Sequence, residues 1–532
     1  MHPRPSPRTP RGLLTTALLA CLIAAPLAAE PPHPILPITG SGSGAADLIN
    51  TYTEAQMLQF VPTQAPRQAN PFAPPVASGD TGWSWSASNP NQIRGVPSGR
   101  VFPNSSVRYQ SVTVLSGKTV QVPYYLRDGS TTARSLVQGE IDNQKRKQLR
   151  RFFNTLAPAY INSGGTHATR NQTYARRIAL LLDSWASYVP DYFMTEKNGP
   201  TFIQATPGYT LSRDIQRVSD HNGLAHEWEV DELLAFDAIY DSPALAQLST
   251  ERGYDVRQKI ANGIFLNIGD YMVDRVPISV AINTNLSGSF TVVSKVARVL
   301  DQPDYMLWMG DYLDNTFRKK LTRDGVLGEG IGYSFHYLEE NYDAADSTYG
   351  YFLTRPAGTP ALVSVRDNAL FYRSLIDRGI DAWDSVRLPN GQLPSFGDTV
   401  FEGTAARNAG RSALLPAYGH LTLGAGTTAA SAIQLNQNFS DDSNHMRADV
   451  TAYGLWALGS EMLGNIRYSN RLPGRQFTEQ ILAHNAVTVN RTNMARHSWR
   501  VGADKHPYNS GNLLLFEPGR DGRQPPPLRA RP

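Results

Sequence analysis

The sequence predicts an α+β protein with two main domains, an (α/α) toroid followed by an antiparallel β-sandwich. The chain has 532 residues, which is longer than one hydrophobic core usually supports. Apolar residues recur at helical spacing between about 136 and 413, and short alternating runs replace them further on. With 41% hydrophobic and 18% charged residues, the composition is that of a globular protein and not of a disordered or fibrous one.

Residues 1–29 are interpreted as a secretory signal peptide. Three arginines precede an apolar run that ends in small residues before Glu30, the usual order of such a signal. Pro26 interrupts the apolar run, which argues against an uncleaved membrane anchor. Cys21 is the only cysteine, so the mature chain would offer no disulfide and no thiolate metal site. We expect a bacterial protein that is periplasmic or secreted, with no membrane span after cleavage.

The charge of the chain excludes one class of partner. The formal net charge of +4 falls to +1 without the three signal arginines, with 47 basic against 46 acidic residues. The tail after Pro518 holds four arginines and one aspartate, so the folded body is close to neutral. We therefore expect no nucleic acid partner. An acidic ligand would have to be bound by a local cluster of side chains.

Four segments follow the signal peptide. Residues 30–135 are rich in Pro, Gly, Ser and Asn, and an alternating run predicts one hairpin near 106–128. Residues 136–413 contain at least six helical runs separated by Pro, Gly or Asn, which suits antiparallel helix pairs in a ring around a cleft. Residues 414–518 carry the strands, and 519–532 are expected to be a disordered tail because their prolines cannot form a strand. About 90 residues are few for a sandwich, so we expect only part of that domain.

Two groups of polar residues in the helical part are candidates for chemistry. Asn283 and Asn285 directly precede an apolar helical run, where Asn is also a common helix cap. The second group follows a predicted turn at Asp324-Gly325, and it consists of Glu329, Tyr333, His336 and Tyr337. On a helix the two tyrosines would share one face, as they would in ordinary core or rim packing. So many polar side chains among three glycines are nevertheless unusual for a core helix.

A third polar group lies among the predicted strands. His445 and Asp449 stand just before two apolar runs joined at Gly459-Ser460, and His484 begins another strand. These residues could be metal ligands, a general base with the group that orients it, or polar residues at strand ends.

In their order and spacing, these segments resemble the heparinase II/III superfamily of polysaccharide lyases. Members of that superfamily join an (α/α) toroid to a β-sandwich and include heparin, heparan and alginate lyases. The stretch "DGVLGEGIGY" resembles the family's Asp-Gly-x-x-x-Glu-Gly-x-x-Tyr segment, and "LPSFGD" resembles its Gly-Asp element. The stretch "NHMRAD" is similar to the His-x-His-x-Asp strand start, and "HNAVTV" to the His-Asn-Thr-Val strand. The similarity runs from roughly 220 to 490.

The resemblance implies β-elimination of a uronic-acid-containing polysaccharide. Removing the C5 proton requires a group that shares the neighbouring carboxylate, a base, and an acid for the leaving oxygen. Asn285 would hold the carboxylate, Tyr337 would be the acid or both acid and base, and His445 would be the base on the opposite face. The residues expected to bind or support substrate are Asn283, Tyr333 (the alternate tyrosine), His336, Glu329, Arg447 and His484.

The chain also departs from the family pattern. Leu286 follows Asn285 where the family often has a histidine, and Arg447 replaces the second histidine of the strand motif. Asn465 stands where zinc-binding relatives have an aspartate, so only His484 of that site remains. A neutral amide and a cationic side chain are poor ligands for a divalent ion. We therefore predict no metal and no cofactor.

Two alternatives to a lyase stay open. One is a glycoside hydrolase on an (α/α) toroid, which needs a pair of carboxyl groups such as Glu329 and Asp398. The other is a non-catalytic relative that binds acidic glycans, which Leu286 and the short sheet domain favour.

Overall fold

A computed structural model describes most of the chain between residues 31 and 464. The described ranges are 31–66, 73–196, 201–204, 215–216, 230–278, 287–326, 331–396, 411–439, 452–464, 485–486 and 516. The predicted signal peptide and the predicted tail lie outside these ranges. No helix within them has the length and apolarity that crossing a bilayer requires.

The N-terminal part consists of short helices and small antiparallel sheets. The helices are α1 (Ala45–Thr51) and α2 (Glu54–Leu58). One sheet joins β1 (Gly82–Trp85), β2 (Ile93–Val96) and β3 (Val101–Phe102), and another joins β4 (Arg108–Thr113), β5 (Thr119–Leu126) and β6 (Arg134–Ser135). A third, β7 to β9, comprises Met194–Glu196, Phe202–Ile203 and Ile215–Gln216.

The helical domain follows, and its helices bury their apolar faces against one another. They are α3 (Val137–Asn162), α4 (Gln172–Ala186), α5 (Val230–Ile239), α6 (Pro243–Arg252), α7 (Val256–Ile260), α8 (Asn267–Arg275), α9 (Ser287–Leu300), α10 (Pro303–Lys320), α11 (Ile331–Thr354) and α12 (Pro360–Ser385). A π-helical segment, Ala261–Leu266, joins α7 to α8.

The start of α12 shows how local sequence sets a helix boundary. The Thr359 side chain accepts a hydrogen bond from the Leu362 backbone N–H at 3.3 Å, and Pro360 occupies the first helical position. The hydroxyl satisfies a donor that has no partner inside the helix, and proline lacks the donor that would be unpaired there. The helix ends at Ser385, two residues after Trp383, whose side chain is fully buried.

The last four helices form two layers of parallel helices. In one layer, α9 and α11 run in the same direction, because Lys295 contacts Asp343 and Asp301 contacts Tyr351, both at 2.8 Å. In the other layer, α10 and α12 are likewise parallel. Each helix of the second layer is antiparallel to its neighbour in the first. For α12 and α11, Arg373 lies 3.0 Å from Tyr342 and Gly379 faces Leu338, so residue numbers rise along one helix and fall along the other.

Antiparallel helix pairs of this kind are the unit that a toroid repeats. The order of helices followed by an antiparallel sheet confirms the α+β class. Closure of the helices into a ring remains a prediction.

The C-terminal part of the described chain is one five-stranded antiparallel sheet. Its strands follow chain order and are β10 (Ala413–Leu415), β11 (His420–Ala425), β12 (Ile433–Asn438), β13 (Tyr453–Ala457) and β14 (Ser460–Leu463). The last two strands turn at Leu458-Gly459, where both residues have positive φ (54° and 78°), as a tight hairpin turn requires. The predicted sandwich, which needs a second sheet packed on this one, stays a prediction.

Candidate active site at the junction of helices and sheet

Two of the polar segments singled out in the sequence lead into neighbouring helices. Helix α9 begins at Ser287 and α11 begins at Ile331. Because these helices are adjacent and parallel, their first residues lie at the same end of the helix layer. Asn285 precedes the first helix by two residues, and Glu329 precedes the second by two. Asn283, Asn285 and Glu329 themselves lie outside the described residues.

The sheet is attached to this same end of the helical domain through Asp324. The Oδ2 atom of Asp324 accepts hydrogen bonds from the backbone N–H groups of Ala417 (2.7 Å) and Tyr418 (2.8 Å). Asp324 lies seven residues before the start of α11. Burial raises the pKa of this carboxyl group, and the two backbone donors partly oppose that rise. The turn between α10 and α11 is therefore the point at which the two domains meet.

Contacts from the end of α12 fix the sheet further. The Trp383 ring packs edge-on against Tyr418, with centroids 4.8 Å apart. The side-chain amide of Gln434 donates to the backbone carbonyl of Arg387 at 3.0 Å. Because α12 runs antiparallel to α11, its last residues lie at the end where α11 begins. The sheet thus covers the end of the helix layer toward which the polar segments lead.

The face of the sheet that meets the helices is unusually polar. In the register of β11 and β12, His420 pairs with Asn438 and Thr422 pairs with Asn436, so all four share one face. Their exposed fraction is 0%, and that of Gln434 on the same face is 2%. By contrast, Ile433 on the opposite face is 57% exposed. Sequence reasoning did not select this polar row.

His420 is the titratable member of the polar row. Its ring lies 5.5 Å from the Phe396 ring, measured between centroids. Burial lowers the pKa of His420 to about 4, and the nearby Asn436 only partly offsets this effect. The imidazole is therefore neutral at neutral pH, since the charged form would lose its hydration.

The described residues on either side of the segment that carries His445 are bonded close to His420. The backbone N–H of Asn438 donates to the Ala452 carbonyl at 3.0 Å, and that of Phe439 donates to the Gly419 carbonyl at 2.6 Å. Both ends of the stretch 440–451 are thus held next to the turn that binds Asp324. His445 and Arg447, together with Asp449, lie outside the described residues, as does His484.

Tyr337 occupies the core and not an open cleft. Its side chain is 1% exposed. It lies close to Tyr312 of α10, whose pKa is raised well above its usual value, first by burial and then by Tyr337. Asn341 links the two helices here, because it accepts from the Tyr312 hydroxyl at 3.2 Å and donates to the Tyr337 carbonyl at 2.9 Å. The side chain of Tyr337 is thus enclosed by its neighbours in this structure, and the catalytic role expected from the sequence stays a prediction.

The other two aromatic candidates lie on the same helix. The backbone of Tyr333 and His336 belongs to α11, so Tyr333 is one turn nearer to the helix start than Tyr337. Their side chains are outside the described part of the structure. The described residues therefore bring the starts of α9 and α11 close to the sheet. They show no contact between the candidate side chains.

A buried ion pair lies between α3 and α5. The guanidinium of Arg146 is 3.6 Å from the carboxylate of Glu232, and both side chains are almost fully buried. Burial raises the pKa of Glu232 to about 7, while Arg146 and Arg150 oppose this shift. No group of three or more His, Cys, Asp or Glu side chains suited to a metal occurs among the residues described.

Neither a family model nor a curated protein matches the sequence. Among solved structures, the chain is similar to "Heparinase III-BT4657 gene product", with 15% identity and a TM-score of 0.45 over 71% of this chain and 59% of that one. It is similar to heparan sulfate lyase HepC from Pedobacter heparinus, with 16% identity and a TM-score of 0.41 over 67% and 55%. A further heparinase III structure gives 14% identity and a TM-score of 0.41 over 70% and 57%.

The chain thus spans less than two thirds of the length of each of these structures.

Proposed function

We propose that this protein is an exported polysaccharide lyase that cleaves a uronic-acid-containing glycan by β-elimination where the helices meet the sheet. The Asp324 contact is the observation that supports this proposal most directly. It joins the sheet to the helix layer beside the start of α11. The described residues that flank the segments bearing Asn285, Glu329 and His445 lie at this junction, although they are far apart in the sequence, and this supports placing the site there.

The reaction can be written without a metal or cofactor. A base takes the C5 proton, its electron pair forms the C4–C5 double bond, and the bond from C4 to the glycosidic oxygen breaks. An acid protonates the departing oxygen. The carboxylate beside C5 gains enolate character, so an amide donor must share that charge.

We assign the roles on this basis. Asn285 holds the carboxylate with Asn283 beside it, and His445 is the base on the opposite face of the sugar. Tyr333 is the acid, because Tyr337 packs the core at 1% exposure. The supporting residues are Glu329, His336, Arg447 and His484, with Arg447 facing the acidic substrate.

Activity on a set of uronate glycans tests this proposal. The purified protein is incubated with alginate, heparan sulfate, hyaluronan and polyglucuronate, and the ultraviolet absorbance of the unsaturated product is followed. We expect absorbance to rise with at least one glycan, and to stay flat for Asn285→Ala protein whose circular dichroism matches the wild type. Folded wild-type protein that is inert on every glycan, or that releases reducing ends without absorbance, would overturn the proposal.

A further inference from the structure

The polar row between sheet and helices contains a small socket of unsatisfied groups. Among the described residues, neither ring nitrogen of His420 makes a hydrogen bond of good geometry, and neither does the Nδ2 atom of Asn436, although Asn436 lies close enough to the ring to oppose the fall in its pKa. The Oδ1 atom of Asn436 accepts from Thr422 at 2.8 Å and faces the Gln434 amide at 3.4 Å. All of these atoms are buried. A socket of this kind is what a buried water or another hydroxyl-bearing group satisfies in a folded protein.

Stability alone does not explain a histidine at this position. Burying an unsatisfied polar group costs free energy, whereas an apolar side chain of similar shape costs none. Leu388, Ala432 and Trp456 form an apolar cluster at the same junction. An apolar residue at position 420 could therefore have packed between the domains without this cost. The presence of an imidazole there indicates a role beyond packing.

The position of His420 indicates what that role is. Its ring packs on Phe396, the last described residue before the stretch 397–410. Its own strand pairs it with Asn438, and the neighbouring Phe439 is bonded to Gly419 at 2.6 Å. The turn that precedes His420 is the one bonded to Asp324. Three chain segments that lead toward the candidate site are thus fixed within a few residues of this ring.

We propose that His420 is a positioning residue of the lyase site. With Asn436 it forms a polar socket that sets the geometry of the loop at Phe396 and of the strand end at Asn438. The proposal rests on the proposed function above. His420 itself does not touch the substrate, because its side chain is fully buried. It acts through the backbone that it holds and transfers no proton.

Two substitutions separate positioning from core packing. In His420→Leu the shape is roughly kept but the polar socket is lost, and in His420→Gln two polar atoms remain. We expect His420→Leu to unfold at the same or a higher temperature than the wild type, while kcat falls at least about tenfold at a nearly unchanged KM. His420→Gln should recover part of kcat. Leu421→Ala, which truncates the neighbouring buried side chain (6% exposed), should instead lower the unfolding temperature.

Hydrogen exchange provides a readout that does not require activity. We expect His420→Leu to speed amide exchange in peptides covering residues 436–439 and 452–454, with little change in the helices. Unchanged exchange there, or a drop in unfolding temperature with exchange faster throughout the protein, would overturn the positioning role. If the wild type is inert on every uronate glycan, the proposed function fails, and the exchange measurement still decides whether His420 positions the strand ends.

Discussion

At the scale of single residues, Tyr333 and Tyr337 show what spacing can and cannot define. Their separation of four predicts one shared helix face, and both lie on α11. Spacing alone does not say which of them is covered by another helix. That depends on the aromatic residues of α10 and α9, where the Phe290 and Tyr312 rings lie 5.3 Å apart beside the buried Tyr337. Tyr337 is buried at 1% exposure by these tertiary contacts, which residue spacing does not encode.

Substituting each tyrosine tests this distinction. We expect Tyr333→Phe to lower kcat/KM by about 10²- to 10⁴-fold, because the acid for the leaving oxygen is removed. Tyr337→Phe should leave kcat/KM within a few-fold of the wild type, since it changes only a buried hydroxyl. Steady-state kinetics on the preferred glycan measure both. The reverse ranking would show that Tyr337 reaches the substrate.

Glu232 makes the free energy of unfolding depend on pH. Its pKa is raised from 4.5 to about 7 by burial, so the folded state favours the protonated carboxyl. The folded protein then binds more protons than the unfolded chain between pH 4.5 and about 7, and stability falls as the pH rises through this window. The free energy of unfolding should fall by on the order of 2 kcal/mol across this window, and Glu232→Gln should remove the fall.

Urea unfolding at pH 5 and pH 8 measures the change. The surface residue Glu251, whose pKa is lowered by Arg176, serves as the control. Glu251→Gln should leave the decline in place. If Glu232→Gln kept the wild-type difference between the two pH values, Glu232 would not carry the effect.

At the scale of elements, the turn between α10 and α11 was predicted as a turn from Asp324-Gly325 alone. Gly325 has φ +80°, which favours glycine. The partners of Asp324 could not be predicted, because Ala417 and Tyr418 are more than 90 residues away in the sequence. The sequence therefore indicates where the chain turns, and the tertiary structure determines which backbone groups the turn binds.

Removing the Asp324 carboxylate should loosen the sheet from the helices. In Asp324→Ala two backbone donors lose their acceptor, and we expect a loss of about 1–3 kcal/mol in the free energy of unfolding. Limited proteolysis should cut more readily between α12 and β10. Asp343→Ala is the control, because that side chain is 55% exposed and its ion pair with Lys295 lies within the helical domain. Equal effects of the two substitutions would contradict the anchoring role.

The same turn lies unusually close to α12. A Cβ atom added at Gly379 would lie 1.9 Å from the Gly325 carbonyl oxygen, a backbone atom that cannot rotate away. We expect Gly379→Ala to destabilise the protein by about 1–3 kcal/mol, since the helix must move away from the turn. Gly358→Ala, with no atom within 4 Å of the added Cβ, should be neutral or slightly stabilising. Thermal unfolding compares them, and equal unfolding temperatures would contradict the close contact.

At the scale of the whole molecule, periodicity predicted helices first and an antiparallel sheet second. It did not predict which face of the sheet turns toward the helices. Alternation in "HLTLGA" and "IQLNQN" is ordinarily interpreted with the apolar side inward. Here the polar side, with His420 and Asn436, is fully buried and bonds through Gln434 to Arg387 just after α12, while on the other side Leu421 is buried and Ile433 is 57% exposed. Which face is buried depends on how the domains pack together, and the alternation of residues along a strand does not predict that packing.

The candidate site could be predicted only as a set of segments. Motif order indicated that a helix-start loop with Asn285 and a strand-start segment with His445 belong together. The contacts of Asp324, Phe439 and Gly419 concern described residues that flank these segments, and the grouping itself stays a prediction. Distances among the reacting side chains depend on loop conformations, which residue spacing does not encode.

The central claim is that the protein cleaves a uronate glycan by elimination and not by hydrolysis. Digestion of the preferred glycan, with the products examined by mass spectrometry, tests it most directly. Elimination forms a double bond and adds no water, so we expect each cut to yield a fragment with an unsaturated uronate at its new non-reducing end, lighter by one water than the hydrolysis product. Cuts that yield only saturated fragments with that water added would contradict the account.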